Sequence, residues 1–345
     1  MNDRVERLRA SLEEPLLVSN PVNVRYLTGF ESTNAAVVVD RERVRLYADF
    51  RYAAAGRAVK GVEFVETERA LYAGLARILS GRIGFEREHL TYEGYELLRA
   101  AGVDLVPRSG LVERLRAVKD ESELETIRRA AEITSGAFER LSRERFVGRT
   151  ERELAWRMEE LLHELGGHGT SFPPIVAAGP TGSTPHAHPG ERTIEAGETV
   201  IVDAGCVLDG YSSDCTRTFA TGPLSAELKE AYRVCLEAQL AALDALRPGA
   251  VARDVDAVAR DRIAAAGLGE AFGHGLGHGV GAALQEDPRL AQTSEWVLEP
   301  GNVVTVEPGI YLDGLGGIRI EDLVVVRDGP PEILTSFPKD LVSVE

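Results

Sequence analysis

The sequence predicts an α+β protein in two domains, a smaller α/β domain over residues 1–116 and a larger one over residues 117–345. Three observations lead there. The 345 residues exceed what one hydrophobic core usually serves. Up to about residue 115, short apolar runs alternate with helical stretches, whereas from Phe172 onward strand-like runs dominate. Those later strands are interleaved with helices at irregular spacing, which argues against a doubly wound sheet.

Element by element, Leu16-Leu17-Val18-Ser19 reads as a strand ended by Asn20-Pro21. Ala35–Val39 and Val44–Ala48 read as a hairpin turned by Asp40-Arg41-Glu42-Arg43. Helical stretches follow near 50–60, 70–80 and 93–101, with a strand at Arg82–Phe85 between them, so the first domain carries a mixed sheet. A charged helix runs from about Lys119 to Leu141, with Asp120 or Ser122 as its cap and Leu124, Ile127 and Ala131 on its apolar face. A second spans about Glu151 to Glu164 and stops at Gly166-Gly167. Strands are expected at 175–178, 199–207, 216–220, 303–306 and 318–326, and helices near 225–246 and 253–266.

Composition narrows the function. Lys and Arg total 39 against 55 Asp and Glu, a net charge of −16. With no basic patch, such a chain repels phosphate backbones, so no nucleic-acid partner is expected. No run of eighteen apolar residues occurs, so no membrane span is expected either. The opening Met1-Asn2-Asp3-Arg4-Val5-Glu6-Arg7 lacks the layout of a signal peptide. Cys206, Cys215 and Cys235 show no CxxC spacing, which suits a reducing compartment and points to the cytoplasm.

Chemistry concentrates in three places. Asp209-Gly210 predicts a two-residue turn, setting Leu208 opposite Tyr211, Asp203 opposite Thr216 and Asp214 opposite Gly205. Asp203 and Asp214 then share a face as diagonal neighbours, about 7–8 Å apart at Cα, close enough to reach one cation or a pair. A strand ending in a solvated Asp is the alternative. In His274-Gly275-Leu276-Gly277-His278-Gly279-Val280-Gly281, four glycines disfavour a helix. On a strand the two histidines lie about 13 Å apart, so at most one ligates a shared metal. Finally, Glu307 and Glu321 sit in apolar strand-like runs, and a buried carboxylate needs a cation or donors. A metal would serve, and so would an ion pair between Arg319 and Glu321. Taken together, Asp203, Asp214, His278, Glu307 and Glu321 form a carboxylate-rich set. Such a set suits Mn, Co or a similar ion, and its bridging carboxylates can hold two metals about 3.5–4 Å apart.

The order Asp, Asp, His, Glu, Glu and the words around it resemble the pita-bread metallopeptidases: methionine aminopeptidase, aminopeptidase P and prolidase. The matching words are Val202-Asp203-Ala204-Gly205, Ser213-Asp214-Cys215-Thr216-Arg217, Gly277-His278-Gly279-Val280-Gly281, Glu307-Pro308-Gly309 and Arg319-Ile320-Glu321-Asp322. Asn23–Phe30 and Ala48–Tyr52 are similar to the N-terminal domain of the creatinase/prolidase branch, and Lys119–Ala131 to its linking helix. The two-domain layout favours the proline-directed branch, a prolidase or aminopeptidase P acting on short peptides at Xaa-Pro bonds.

The resemblance implies a pita-bread fold for residues 117–345 and two divalent ions, Mn or Co ahead of Zn. Asp203 and Asp214 would hold one ion and His278 and Glu307 the other, with Asp214 and Glu321 shared. Glu307 becomes the general base, His186 a donor to the substrate or the tetrahedral intermediate, and His274 a further substrate contact. Arg319 is placed beside the carboxylates and the substrate. Relatives pair as homodimers, with Asp49, Arg51 and Tyr52 candidates to reach the partner's site. One position departs from the pattern: Gln285 stands where the family carries the histidine of a His-Glu pair. Gln cannot be cationic, which puts in doubt either catalytic efficiency or the usual substrate choice and points to a substrate contact of altered specificity. A creatinase-type enzyme without metal, or a binding protein that kept the fold, is the remaining alternative.

Overall fold

The structure, a computed structural model, describes residues 3–344. The chain divides into two compact units, residues 1–116 and 117–345.

In the first unit six strands form one sheet: β1 (Leu16–Val18), β2 (Ala35–Val39), β3 (Val44–Asp49), β4 (Glu63–Thr67), β5 (Arg82–Glu86) and β6 (Asp104–Arg108). Their order is β4-β3-β2-β1-β5-β6. The β1–β2 and β2–β3 pairs are antiparallel, whereas β3–β4, β1–β5 and β5–β6 are parallel, making the sheet mixed. The unbroken apolar run of β2 reflects burial on both faces. Val37 and Val39 enter one core, Ala36 and Val38 another. Six helices accompany the sheet: α1 (Asp3–Ala10), α2 (Pro21–Thr28), α3 (Ala53–Ala58), α4 (Leu71–Ile78), α5 (Tyr92–Ala100) and α6 (Leu111–Ala117). Asn20-Pro21 does more than stop β1. The Asn20 side chain caps α2 and Pro21 opens it, where a missing N–H costs nothing.

The second unit begins with α7 (Glu121–Leu141) and α8 (Glu151–Glu164). Of the two cap candidates, Asp120 is the one used, in a capping box with Glu123; Thr150 and Glu153 repeat the device on α8. Next come β7 (Gly169–Thr170), β8 (Ile175–Ala178), β9 (Thr199–Ala204), β10 (Cys206–Leu208), β11 (Tyr211–Ser212) and β12 (Cys215–Ala220). Helices α9 (Ala226–Ala245) and α10 (Ala252–Ala265) follow. The end is strand-rich: β13 (Gly277–Gly279), β14 (Glu286–Leu290), β15 (Val303–Val306), β16 (Gly309–Leu312), β17 (Gly316–Arg319), β18 (Asp322–Val325) and β19 (Glu332–Ile333). The two main sheets run β12-β9-β8 and β14-β13-β15-β18-β19, with antiparallel pairs throughout.

Each sheet buries one face under a helix pair. Apolar side chains of α7 and α8 pack on β8, β9 and β12, where Phe138, Phe146, Phe219 and Phe337 meet at ring separations of 5.3 to 6.4 Å. Those of α9 and α10 pack on the β15–β18 side. The three cysteines are buried and unbridged. Among the described residues no helix is long and apolar enough to cross a membrane. Glu321 does not lie within a continuous strand 318–326. The chain leaves β17, paired with β16, and enters β18, paired with β15, so Ile320 and Glu321 fall at the crossing between two sheets.

Candidate metal centre

The Asp209-Gly210 turn sets the register expected of it. Leu208 faces Tyr211, Asp203 faces Thr216, and the Ser213 amide donates to the Cys206 carbonyl at 2.9 Å. Asp203 and Asp214 therefore project from one face of the hairpin. Glu321 joins them from the β17–β18 crossing, and one carboxylate oxygen of each lies within 4.8 Å of the others. Its place is fixed by β12: the Thr216 hydroxyl donates to Glu321 Oε2 at 2.7 Å, and the Glu321 amide donates to the Thr216 carbonyl at 3.1 Å.

His278 arrives on β13, a strand that glycines make thin. A Cβ on Gly277 would stand 2.0 Å from the Thr305 carbonyl oxygen and one on Gly279 2.4 Å from that of Asp287. Only bare backbone lets β13 sit between β14 and β15. His278 Nε2 lies 3.7 Å from Asp214 Oδ2 and 3.5 Å from Glu307 Oε1, while Nδ1 lies 3.0 Å from the Gly279 carbonyl oxygen. A proton on Nδ1 directed at that oxygen leaves the Nε2 lone pair facing the carboxylates. Thr305 ties the two together, donating its hydroxyl to Glu307 Oε1 at 2.9 Å and accepting the His278 amide at 3.0 Å.

Arg319 does not pair with Glu321, the ion pair weighed from their spacing on one strand. The chain turns between them, and Arg319 donates instead to Asp203 Oδ2 at 2.7 Å, Thr216 Oγ1 at 3.1 Å, the Tyr311 hydroxyl at 3.0 Å and the Pro185 carbonyl at 3.2 Å. Behind the cluster, buried Arg217 pairs with Asp322 at 2.8 Å and donates to the Thr216 and Phe337 carbonyls, bracing the backbone that carries Glu321.

Asp203, Asp214 and Glu321 thus cluster, with Glu307 beside His278, and Arg319 pairs with Asp203 alone of these four among the described residues. Burial, together with the neighbouring Asp203 and Glu307 charges, holds the Asp214 carboxyl well above the usual range, and burial with Asp214 and Glu307 does the same to Glu321. Burial raises Asp203 too, with Arg319 pulling the other way. Among the described residues Asp203 Oδ1 is buried without a hydrogen-bond partner. A buried carboxylate oxygen with no donor, beside other carboxylates, is an atom that a metal ion would satisfy. Carboxylate oxygens with one imidazole nitrogen form a donor set suited to a hard or borderline divalent metal. The residues present fit that group.

The cluster opens on a cavity of about 410 Å³. His186, His274, Gln285 and Arg319 line it along with Asp203, Asp214, His278, Glu307 and Glu321. His274 stands outside the carboxylate contacts: its Nε2 lies 2.9 Å from the Tyr311 hydroxyl and its Nδ1 2.8 Å from the Gly275 carbonyl oxygen. Burial lowers its pKa, favouring the neutral ring. Gln285 and His186 are exposed at the cavity. Phe172, Ile175 and Leu284 supply apolar wall. Sequence reasoning missed Thr216 as a bridge between Arg319 and Glu321, Thr305 as one between His278 and Glu307, and Tyr311 as one between His274 and Arg319.

A carboxylate cluster opening on a cavity is suited to a divalent metal, and the comparisons give the class. Residues 125–328 match the model of metallopeptidase family M24, and residues 4–118 that of the creatinase/prolidase N-terminal domain. The chain belongs to metallopeptidase family M24 and is a metallopeptidase of pita-bread fold. It is 37% identical over 334 residues to an uncharacterized peptidase of Bacillus subtilis, YqhT, covering 95% of each chain. It is 33% identical to the Xaa-Pro dipeptidase of Pyrococcus furiosus over 353 residues, covering 99% of this chain and 100% of that one. The solved Xaa-Pro dipeptidase from Bacillus anthracis superposes with a TM-score of 0.95 at 38% identity, covering 99% of both chains.

Proposed function

We propose that this metallopeptidase is a two-metal exopeptidase that hydrolyses short peptides at Xaa-Pro bonds, in the manner of a prolidase or aminopeptidase P. The observation that carries the reading is the clustering of the Asp203, Asp214 and Glu321 carboxylates, with Asp203 Oδ1 unpartnered among the described residues. Asp203 and Asp214 would hold one ion and His278 and Glu307 the other, Asp214 and Glu321 being shared. Bound divalent ions, Mn or Co before Zn, would polarise the scissile carbonyl and lower the pKa of the attacking water. Glu307, oriented by Thr305, takes the proton from that water and hands it to the departing nitrogen. His186 donates a hydrogen bond to the carbonyl oxygen as it gains charge. Arg319 keeps Asp203 in place and lines the cavity where the substrate would lie. Phe172, Ile175 and Leu284 beside the carboxylates give a proline ring, which has no N–H to satisfy, an apolar seat. The names of the P. furiosus and B. anthracis proteins support this substrate. A homodimer belongs to the same proposal, as does a cytoplasmic address, which suits three free thiols.

The test pairs metal analysis with hydrolysis of Ala-Pro, Ala-Ala, Ala-Pro-Ala and N-acetyl-Ala-Pro before and after chelation. Two Mn or Co per chain and chelator-sensitive cleavage of Ala-Pro over Ala-Ala are expected. Preference between Ala-Pro and Ala-Pro-Ala separates dipeptidase from aminopeptidase. Undiminished cleavage by protein stripped of metal, or none of any proline peptide, would sink the reading.

A second reading, altered specificity, rests on Gln285, exposed at the cavity where the family carries histidine. Gln285→His is expected to change kcat/KM for Ala-Pro by at least about tenfold, the effect of gaining one good donor to developing charge. An unchanged substrate profile would remove Gln285 from specificity.

A further inference from the structure

Among the described residues His186 has no hydrogen-bond partner, so its place at the cavity depends on the backbone of the loop between β8 and the 190s. That loop is gripped at both ends by one buried side chain. Glu151, in the first turn of α8 and 1% exposed, accepts the Ala178 amide on Oε1 at 3.0 Å, where the loop begins. Its Oε2 accepts the Gly190 amide at 3.1 Å, where the loop ends. The Thr181 hydroxyl donates to Oε1 as well. Backbone bonds extend the grip: the Glu151 amide donates to the Arg192 carbonyl and the Arg152 amide to that of Gly190, both at 3.1 Å. At the middle of the loop, Arg319 donates to the Pro185 carbonyl at 3.2 Å while holding Asp203. Between these points the loop lies flat on β17, for a Cβ on Gly317 would come 2.0 Å from the Gly182 carbonyl oxygen.

We propose that Glu151 is a positioning residue for the reaction. Its carboxylate spans the mouth of the 179–190 loop and fixes the height of His186 over the metal-binding carboxylates. Three donors to one buried carboxylate form charge-assisted bonds, the strong class, and their fixed geometry sets the distance between the loop's two ends. Gln keeps the shape of Glu but turns one acceptor into a donor facing a backbone N–H, so one end of the loop must lift. The inference rests on the reading that His186 meets the substrate.

The experiment is a double-mutant cycle on the metal-loaded enzyme with Ala-Pro, using Glu151→Gln, His186→Ala and both together. Glu151→Gln should keep the wild-type metal content and lose about tenfold in kcat/KM, in line with what a misplaced group costs. In the His186→Ala background the same change should cost less than about twofold, because the residue being positioned is gone. A merely structural role would cost the full factor in both backgrounds and would overturn the proposal. So would a fully active His186→Ala enzyme, and that result would leave Xaa-Pro hydrolysis by the wild type standing. Should Glu151→Gln fail to fold, Thr181→Val, which removes one donor to Oε1, enters the same cycle with the same expected loss of additivity.

Discussion

Thr216 works in two directions with one hydroxyl, accepting from Arg319 Nε and donating to Glu321 Oε2. Replacing it by valine keeps the shape and leaves both partners turned loose toward the metal position. Thr216→Val is expected to weaken metal binding by roughly ten- to a hundredfold, the usual cost of losing a group that orients a ligand. Competition against a chelator of known affinity measures it, with circular dichroism unchanged. The candidate ligands stood out in the sequence because a carboxylate or imidazole in an apolar run is conspicuous. Thr216 and Thr305 did not, since threonine is at home in any strand and only tertiary pairing gives its hydroxyl a task. In the first unit, Glu86 carries a pH dependence of its own. It is buried and accepts the Ser19 and Asn20 amides at 2.7 Å and Asn23 Nδ2 at 2.6 Å, yet burial outweighs these bonds and raises its pKa. The stability it contributes is therefore complete below the ordinary Glu value of about 4.3 and declines as pH climbs through the raised one. Amide exchange in β1 and β5 should accelerate over that rise. Glu86→Gln, which cannot ionise, should flatten the dependence.

Elements were legible where a local signal fixed geometry. Asp209-Gly210 dictated the turn, the turn dictated the register, and the register put Asp203 and Asp214 on one face. The glycine-rich run around His278 announced a strand for the same reason that it now tolerates little change. Gly277→Ala would press a methyl into the Thr305 carbonyl, a backbone atom that cannot step aside. A loss of about 1–3 kcal/mol is expected, as for overpacking generally, together with lower metal content as His278 is displaced. Urea unfolding and elemental analysis read the two effects. Helix α2 was hidden behind a correct signal given the wrong meaning: Asn20-Pro21 opens a helix as readily as it ends a strand. Strands β4 and β6 went unseen because each joins only one neighbour at a sheet edge and is half exposed, so neither shows a long apolar run. The break at Ile320-Glu321 was unreadable because both flanking strands are apolar; the switch between sheets is a property of their partners.

At the scale of the molecule, two units with separate cores answer differently to the metal. A ligand bound only by folded protein stabilises it by about 2.7 kcal/mol at a hundredfold excess over its Kd. That gain belongs to the unit holding the carboxylates. Chelation should therefore speed amide exchange in β9, β12, β15 and β18 by up to about a hundredfold while leaving β1, β2 and β3 unchanged. Equal acceleration in both units would show that they open as one.

Burial of all three native thiols has a practical sequel. It pushes Cys206 up to about 11, Cys235 up to about 12 and Cys215 further still. At neutral pH these sulfurs stay as thiols rather than the thiolates that maleimides attack. A cysteine introduced at an exposed position can therefore be labelled in the otherwise unaltered chain. With a fluorophore attached through Gln285→Cys, the cavity mouth would report peptide entry directly.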